Sequence, residues 1–192
     1  MQQRLGGKQP RLGSSLAVTH RPPRDARQVI LGIDPSLRGT GYGVIQTEKT
    51  SPVVLAHGTI SCPKDWERSR CLARISRTLR AVLTEFKPDV CVIEGLFFAQ
   101  NLKTAIMMGE ARGAAMATVG EAGIDVFEIA TRKVKQAIVG YGAAQKIAVA
   151  KMVQRRLNLA ELPAPDAADA LALALTHAQG VARYGLTPLK KI

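Results

Sequence analysis

The chain has 192 residues, of which 46% are hydrophobic, so it can form one domain with a proper core and some appendages. No apolar run approaches the roughly 18 residues of a membrane span, and no apolar segment near the N-terminus predicts a signal peptide. The net charge of +12 favours an anionic partner, and the three cysteines, which lack CxxC spacing, fit a reducing cytoplasm as buried small apolar residues.

The composition divides the chain into a basic arm, a domain and a short tail. Residues 1–28 carry six basic residues against Asp25 alone, are rich in Pro, Gly and Ser, and lack apolar periodicity. This composition predicts a disordered arm that could bind DNA; the alternative is that the natural chain starts near Val29. The folded domain is predicted to cover residues 29–180, and residues 181–192 form a short basic tail.

Hydrophobic periodicity predicts five strands and five helices. The first three strands contain QVILGIDPS, GTGYGVIQTE and VVLAHGTISC, and their short connections indicate antiparallel hairpins. The fourth strand, DVCVIEG, and the fifth, IDVFEIA, are joined by a helix, so we expect them to be parallel. The predicted helices cover residues 65–86, 101–121, 131–139, 143–157 and 166–178. This order predicts a mixed α/β sheet flanked by helices.

Two aspartates begin the last predicted helix, which is otherwise almost entirely Ala and Leu in the segment PAPDAADALALAL. Asp166 is well explained as a helix-capping residue that complements the helix dipole. Asp169 is explained less well, because it lies about a turn further in, where Asp has poor helix propensity. Both carboxylates fall on nearly the same helix face, where they repel each other unless a cation lies between them. A divalent metal ion is the alternative to a capping role.

Two further carboxylates stand where apolar strands end. Asp34 follows residues 29–33, and Glu94 follows residues 90–93. Either one alone is explained by capping of the next turn, but a charge at the end of an interior strand is costly unless paired or bound to metal. If strands one and four are neighbours and the last helix lies against their edge, all four carboxylates converge. Oxygen ligands suit Mg²⁺ or Mn²⁺, and two such ions about 4 Å apart can hydrolyse a phosphodiester.

The densest positive charge lies between residues 131 and 156, which contain no acidic residue. A run of charge is often only a solvated face, but so many cations without an anion repel one another. Nucleic acid phosphates would relieve this repulsion. The cations are Arg132, Lys133, Lys135, Lys146, Lys151, Arg155 and Arg156, and we interpret the segment as a nucleic-acid contact surface.

Small residues recur every four positions along the second predicted helix, at Ala105, Gly109, Gly113 and Ala117. They form a smooth ridge, which allows another backbone to approach closely. The ridge could pack on the sheet of its own chain or on a second copy of the chain.

Four segments together resemble the signature blocks of the RuvC family of bacterial Holliday junction resolvases. They are LGIDPSLRGTGYGVI, VCVIEGLFFAQN, RKVKQAIVGYGAAQK and PDAADALALALTH, and they occur in the family's order between about residues 29 and 179. The resemblance implies a ribonuclease H-like fold with a five-stranded mixed sheet in the order 3-2-1-4-5. It also implies that Asp34, Glu94, Asp166 and Asp169 are catalytic and hold two Mg²⁺ ions, for which Mn²⁺ can substitute.

The resemblance further implies an activity and partners. A RuvC-like homodimer nicks two like strands of a four-way DNA junction symmetrically, in homologous recombination and DNA repair. It acts in the bacterial cytoplasm with the branch-migration proteins RuvA and RuvB. Because the family's dimer is built around the second helix, we assign the 105-109-113-117 ridge mainly to the two-fold interface.

The resemblance and the charge pattern together give a set of expected DNA contacts. Phe97 matches an aromatic of the family that would stack on an unpaired base. Lys135 and Lys146 match basic positions that would contact phosphates near the scissile bond. The full set is Phe97, Lys135, Lys146, Arg132, Lys133 and Lys151.

Three other functions are open on the sequence. A nucleotide-binding phosphotransferase of the actin type shares the first strand motif, but the chain lacks a second Gly-rich phosphate loop and is too short for two such domains. A non-catalytic junction-binding protein needs only the basic surface, yet four carboxylates would lower its DNA affinity unless metal is bound. A nuclease for another branched or single-stranded substrate is not excluded by the sequence, because junction shape is read by the whole dimer.

Overall fold

The computed structural model describes residues 27–95, 101–183 and 190–192, with side chains of the last helix described as far as residue 180. Most of the predicted basic arm, and Phe97, lie outside the described residues. The strands are β1 (Val29–Asp34), β2 (Gly39–Gln46), β3 (Val53–Ser61), β4 (Val90–Glu94), β5 (Asp125–Ile129) and β6 (Lys190–Lys191). The helices are α1 (Arg68–Phe86), α2 (Leu102–Glu121), α3 (Thr131–Val139), α4 (Lys146–Arg156) and α5 (Pro165–Arg183).

The sheet has the order β3-β2-β1-β4-β5-β6. The first three strands pair antiparallel, whereas β1 with β4 and β4 with β5 pair parallel. This confirms the predicted order of the first five strands and makes strands one and four direct neighbours. The prediction of five strands is wrong by one, because β6 pairs antiparallel with Phe127 and Glu128 of β5. A two-residue strand is too short to show the alternation from which strands are predicted.

Two helical layers cover the sheet. Helices α1 and α2 pack on one face around Ile75 and Leu79, and α3, α4 and α5 pack on the other around Ile138 and Leu171. Helix α5 is buried along most of its length, which explains its Ala- and Leu-rich sequence. It continues to Arg183, beyond the predicted end at residue 178, although its last turns lack the apolar pattern on which the prediction rests.

Helix α5 lies directly against the backbone of β1 and β2. A Cβ atom built at Gly41 would lie 1.9 Å from the carbonyl oxygen of Asp166, and one at Gly32 would lie 2.0 Å from the carbonyl oxygen of Ala170. Gly43 lies under the same helix. Non-bonded atoms cannot approach so closely, so only glycine allows this contact. The three glycines therefore seat the beginning of α5 on the sheet.

Within the described ranges, no helix combines the length and the apolar character needed to cross a membrane. The cysteines Cys62, Cys71 and Cys91 are buried free thiols. Burial raises the pKa of the Cys91 thiol, so this side chain stays protonated and packs as a small apolar group.

A buried histidine in α5 makes the free energy of unfolding depend on pH. His177 is only 4% exposed, its ring centroid lies 5.3 Å from that of Phe127, and its Nδ1 has no hydrogen-bond partner among the described residues. Burial lowers the pKa of His177 from 6.5 to about 4. The unfolded chain therefore takes up the proton first as the pH falls below 6.5, and the folded state loses stability until the pH reaches 4.

We expect His177→Phe to remove part of this acid sensitivity. Between pH 8 and pH 5, the protonation of His177 in the unfolded chain should cost the wild type about 2 kcal/mol of unfolding free energy, and the variant should not show this loss. Urea denaturation at both pH values measures the difference. Equal losses in His177→Phe and the wild type would contradict this explanation.

Candidate active site

The four predicted carboxylates lie at one edge of the sheet. Asp34 ends β1 and Glu94 ends β4, and these parallel strands are paired up to the residues immediately before them. Asp166 and Asp169 lie in the first turns of α5, which packs on β1 and β2. All four side chains are half-buried. The fold therefore brings together residues that are up to 135 positions apart in the chain.

Burial and like charge disfavour ionisation at this edge. The pKa of Asp34 is raised to about 9, mainly by burial, with smaller contributions from the hydrogen bond and charge of Glu94 and from the charge of Asp169. Burial is also the main cause of the raised pKa of Asp169, which the charges of Glu94 and Asp166 increase. Each of these carboxylates would gain from a cation at the site.

Lys146 supplies one positive charge. Lys146 is the first residue of α4, and its Nζ lies 2.7 Å from Oδ2 of Asp169. This hydrogen bond raises the pKa of Lys146 and opposes the rise in the pKa of Asp169. The lysine side chain is 68% exposed, whereas that of Asp169 is 22% exposed, so the ammonium group approaches the carboxylate from the solvent side. Lys146, which is predicted to contact phosphate, thus contacts the predicted catalytic carboxylate of Asp169.

Glu94 has two further partners that the carboxylate pattern did not reveal. The Thr131 hydroxyl donates a hydrogen bond to Oε1 of Glu94, and the Nε of Arg112 donates one to the Glu94 backbone carbonyl at 3.3 Å. Arg112 also forms a half-buried ion pair with Glu128. Thr131 begins α3 two residues after the end of β5, which lies at the same sheet edge as the end of β4. This position at the end of a parallel strand was the sequence signal that could have predicted its contact with Glu94.

The oxygen donor set suits a hard cation, although the side chains are not gathered around one point. Among the described residues, no group of three or more His, Cys, Asp or Glu side chains is placed so that it could hold a metal ion. The raised pKa values of Asp34 and Asp169 nevertheless favour a cation, because a divalent ion would offset both burial and repulsion. The donors therefore fit Mg²⁺ by their chemistry.

The predicted basic DNA contacts differ in their exposure to solvent. Arg132 and Lys133 are exposed at the start of α3, and Lys151 is exposed on α4, whereas Lys135 is half-buried. Arg156, also in the basic segment, instead donates hydrogen bonds to backbone carbonyls near the end of α3. The exposed cations therefore flank the carboxylate edge on the α3–α4 side.

The ridge on α2 faces away from its own sheet. The buried face of α2 is formed by Ala111, Ala115, Thr118 and Val119. Gly109, Gly113 and Ala117 are exposed and Ala105 is half-buried, and no described atom lies within 4 Å of a Cβ built at either glycine. Packing of the ridge on the sheet of its own chain is therefore excluded.

The mixed sheet between two helical layers, with acids ending its first and fourth strands, is a ribonuclease H-like nuclease fold. Residues 30–177 match the family model described as crossover junction endodeoxyribonuclease RuvC. The chain therefore belongs to the RuvC family. This membership is inconsistent with the actin-type phosphotransferase considered above.

Individual relatives agree with this assignment. The crossover junction endodeoxyribonuclease RuvC of Syntrophomonas wolfei is 46% identical over 149 residues, which cover 77% of this chain and 87% of the relative. The crossover junction endodeoxyribonuclease RuvC of Thermotoga petrophila is 45% identical over 150 residues, which cover 78% of this chain and 91% of the relative.

Solved structures show the same fold. T. thermophilus RuvC in complex with Holliday junction substrate superposes with a TM-score of 0.79 at 33% identity, covering 86% of this chain and 99% of that one. The yeast mitochondrial Holliday junction resolvase Ydc2 has a TM-score of 0.59 at 13% identity, covering 80% and 78%, which shows likeness of fold alone.

We expect Gly41→Ala to impair nuclease activity without unfolding the protein. The added Cβ would meet the Asp166 carbonyl oxygen, so the start of α5 must move and carry both aspartates with it. Cleavage should fall about a hundredfold, because displacements of about 1 Å at an active site have effects of that size. The melting temperature should fall by only about 2–10 °C.

Gly180→Ala is the matched control, because it adds the same methyl group to α5 where no described atom lies within 4 Å. It should keep wild-type activity. Circular dichroism and a nuclease assay measure both variants, and full activity of Gly41→Ala would show that the close approach of α5 is not required.

Proposed function

We propose that this protein is an endodeoxyribonuclease that resolves four-way DNA junctions by paired symmetric nicks, in homologous recombination and DNA repair. The observation that supports this most is the crowding of Asp34, Glu94 and Asp169 at one sheet edge. This crowding disfavours ionisation of the carboxylates, and residues that only cap turns or helices would not need to be crowded in this way. The T. thermophilus relative was solved with a Holliday junction, and 33% identity over almost its whole length supports the same substrate class.

The catalytic acids would be Asp34, Glu94, Asp166 and Asp169, which would together hold two Mg²⁺ ions, for which Mn²⁺ can substitute. Such ions supply an activated water and stabilise the leaving oxygen of a phosphodiester. Thr131 would keep the Glu94 carboxylate in one orientation through its bond to Oε1. Lys146 would leave Asp169 for a phosphate next to the scissile bond, where its charge positions the strand.

The DNA would lie along the α3–α4 side of the edge. Arg132, Lys133, Lys135 and Lys151 would contact backbone phosphates, and their charge would hold the strand without reading its sequence. Phe97, three residues beyond the end of β4, would stack on an unpaired base at the junction centre.

Paired nicks require two active sites related by a two-fold axis. The exposed ridge of Ala105, Gly109, Gly113 and Ala117 supports a homodimer through α2. Leu102 and Ile106, which are 76% and 48% exposed, add apolar surface to the same helix. By family resemblance, this dimer would act in the bacterial cytoplasm with RuvA and RuvB.

We expect Asp34→Asn and Asp169→Asn each to reduce junction cleavage by at least about a hundredfold while preserving junction binding. Each variant removes a proposed metal ligand, whereas affinity comes from the cationic surface. Gel-shift and cleavage assays measure the two properties separately. Glu161→Gln, at an exposed carboxylate in the loop before α5, is the control and should cleave normally. If binding and cleavage are lost together in a folded variant, the carboxylates are structural.

Cleavage should depend on the divalent cation. Mg²⁺ and Mn²⁺ should support it, and Ca²⁺ should support binding only, because its looser coordination does not align an in-line attack. EDTA should abolish cleavage. Single-turnover assays with each ion measure this dependence, and full activity in EDTA would refute the two-metal proposal.

Gly113→Leu should give a folded monomer at micromolar concentration that no longer makes paired nicks. A bulky side chain on the ridge would force the two helices apart, at about 1–3 kcal/mol for each affected site, and the symmetric interface contains the site twice. Light scattering and cruciform-plasmid cleavage measure the two effects. Ala81→Leu, at an exposed position of α1, is the control and should stay dimeric. An active Gly113→Leu dimer would place the interface elsewhere.

A further inference from the structure

We propose that Arg70, Arg74 and Arg77, on the outer face of α1, hold the phosphate backbone of one duplex arm of the junction. This second DNA surface lies on the α1–α2 side of the sheet, opposite the basic segment of α3 and α4. The inference rests on the proposed function, because it assigns a further contact to the same substrate.

The three arginines line a groove of about 420 Å³ together with Trp66 and Thr78. The guanidinium carbon of Arg70 lies 3.8 Å from the centroid of the Trp66 ring, and that of Arg74 lies 5.4 Å from it. These cation–π contacts hold two long side chains over one aromatic ring. Because their guanidinium groups are already positioned, less conformational entropy is lost when they bind an anion.

These arginines differ from the other two on the same helix. Arg68 pairs with Glu110 at 3.1 Å, and Arg80 pairs with Glu121 at 3.1 Å, both across to α2. Within the described residues, the three arginines of the groove form no ion pair with any carboxylate, including the nearby Asp65 and Glu67. Their spacing of four and three residues puts like charges side by side, which destabilises a helix. A bound anion would remove that repulsion.

The groove opens near the same sheet edge as the carboxylates. β3 runs parallel to β1, since both are antiparallel to β2, so Ser61 at its end lies at that edge. Ser61 pairs with Gly39, and a Cβ built at Gly39 would lie 2.8 Å from Oδ2 of Asp166. Arg38, which precedes Gly39 at this edge, donates a hydrogen bond at 3.1 Å to the backbone carbonyl of Trp66 in the groove. The edge and the groove are therefore in direct contact.

The distance suits a DNA arm that leaves the active site. The distance from β1 to β3 is about 10 Å, which is two strand spacings. The distance from Arg70 to Arg77 along the helix axis is about another 10 Å. Helix α1 follows β3, which ends at the carboxylate edge, and precedes β4, which begins at the opposite edge, so the arginines form a row that leads from the carboxylate edge along the outer face of the domain. Guanidinium groups bind phosphate oxygens in a bidentate manner, which favours a nucleic acid backbone as the occupant.

The test compares Arg70→Ala/Arg74→Ala with Arg68→Ala/Arg80→Ala, which removes the same charge from the same helix. Fluorescence anisotropy with a labelled four-way junction in EDTA gives the dissociation constant at several salt concentrations, and circular dichroism checks folding. We expect the first variant to reduce the slope of log affinity against log salt by about 2, so that its deficit relative to the wild type shrinks about tenfold between 50 and 200 mM salt. The control should keep the wild-type slope.

Equal slopes for the first variant and the wild type, or equal reductions in both variants, would overturn the proposal. The former outcome would leave the groove to another occupant, such as an acidic protein segment. Failure of the proposed function gives a different result, namely a wild-type protein that cuts linear DNA as fast as a junction. A wild type that cuts junctions selectively, with an unchanged slope in Arg70→Ala/Arg74→Ala, would refute this surface alone.

Discussion

The contact of α5 with the backbone of β1 and β2 is the constraint on which the proposed active site depends. Gly32, Gly41 and Gly43 leave no side chain beneath the helix, and at two of them a single methyl group would overlap a helix carbonyl. This contact fixes where α5 begins relative to the ends of the strands. Asp166 and Asp169 lie next to Asp34 because no residue larger than glycine separates the helix from the sheet.

The convergence of carboxylates has a cost that the surrounding residues partly offset. Burial raises the pKa of Asp34 and Asp169, and Glu94 raises both further. Lys146 offsets this at Asp169 from the solvent side, and the hydroxyl of Thr131 holds Glu94. Such a site is stable enough to fold but favours the arrival of cations, which is what phosphodiester hydrolysis by hard metal ions requires. The same edge is bordered by exposed cations on α3 and α4, so the charge proposed to attract DNA lies beside the charge proposed to bind metal.

Much of this arrangement could be predicted from the sequence, because it depends on patterns that are local. The apolar runs before Asp34 and Glu94 identify strand ends, and the Ala- and Leu-rich segment after Asp166 identifies a buried helix. The adjacency of strands one and four came only from the family resemblance, because pairing between distant strands leaves no local mark. The strand GTGYGVIQTE was predicted, but the close approach of α5 to it was not; the alternation of Gly39, Gly41 and Gly43 on one strand face was the missed signal. The partners of Glu94, and β6, depend on tertiary contacts that periodicity does not encode.

Junction resolution by this protein is tested most directly by cleavage of end-labelled DNA in Mg²⁺, with four-way, three-way and linear substrates of the same sequence compared at equal concentration. Mapping the products on each strand separates paired from single nicks. We expect symmetric nicks in two strands of like polarity, close to the centre of the four-way junction, and much slower cutting of the other substrates. Equal cutting of linear DNA, or nicks in only one strand of the junction, would contradict it.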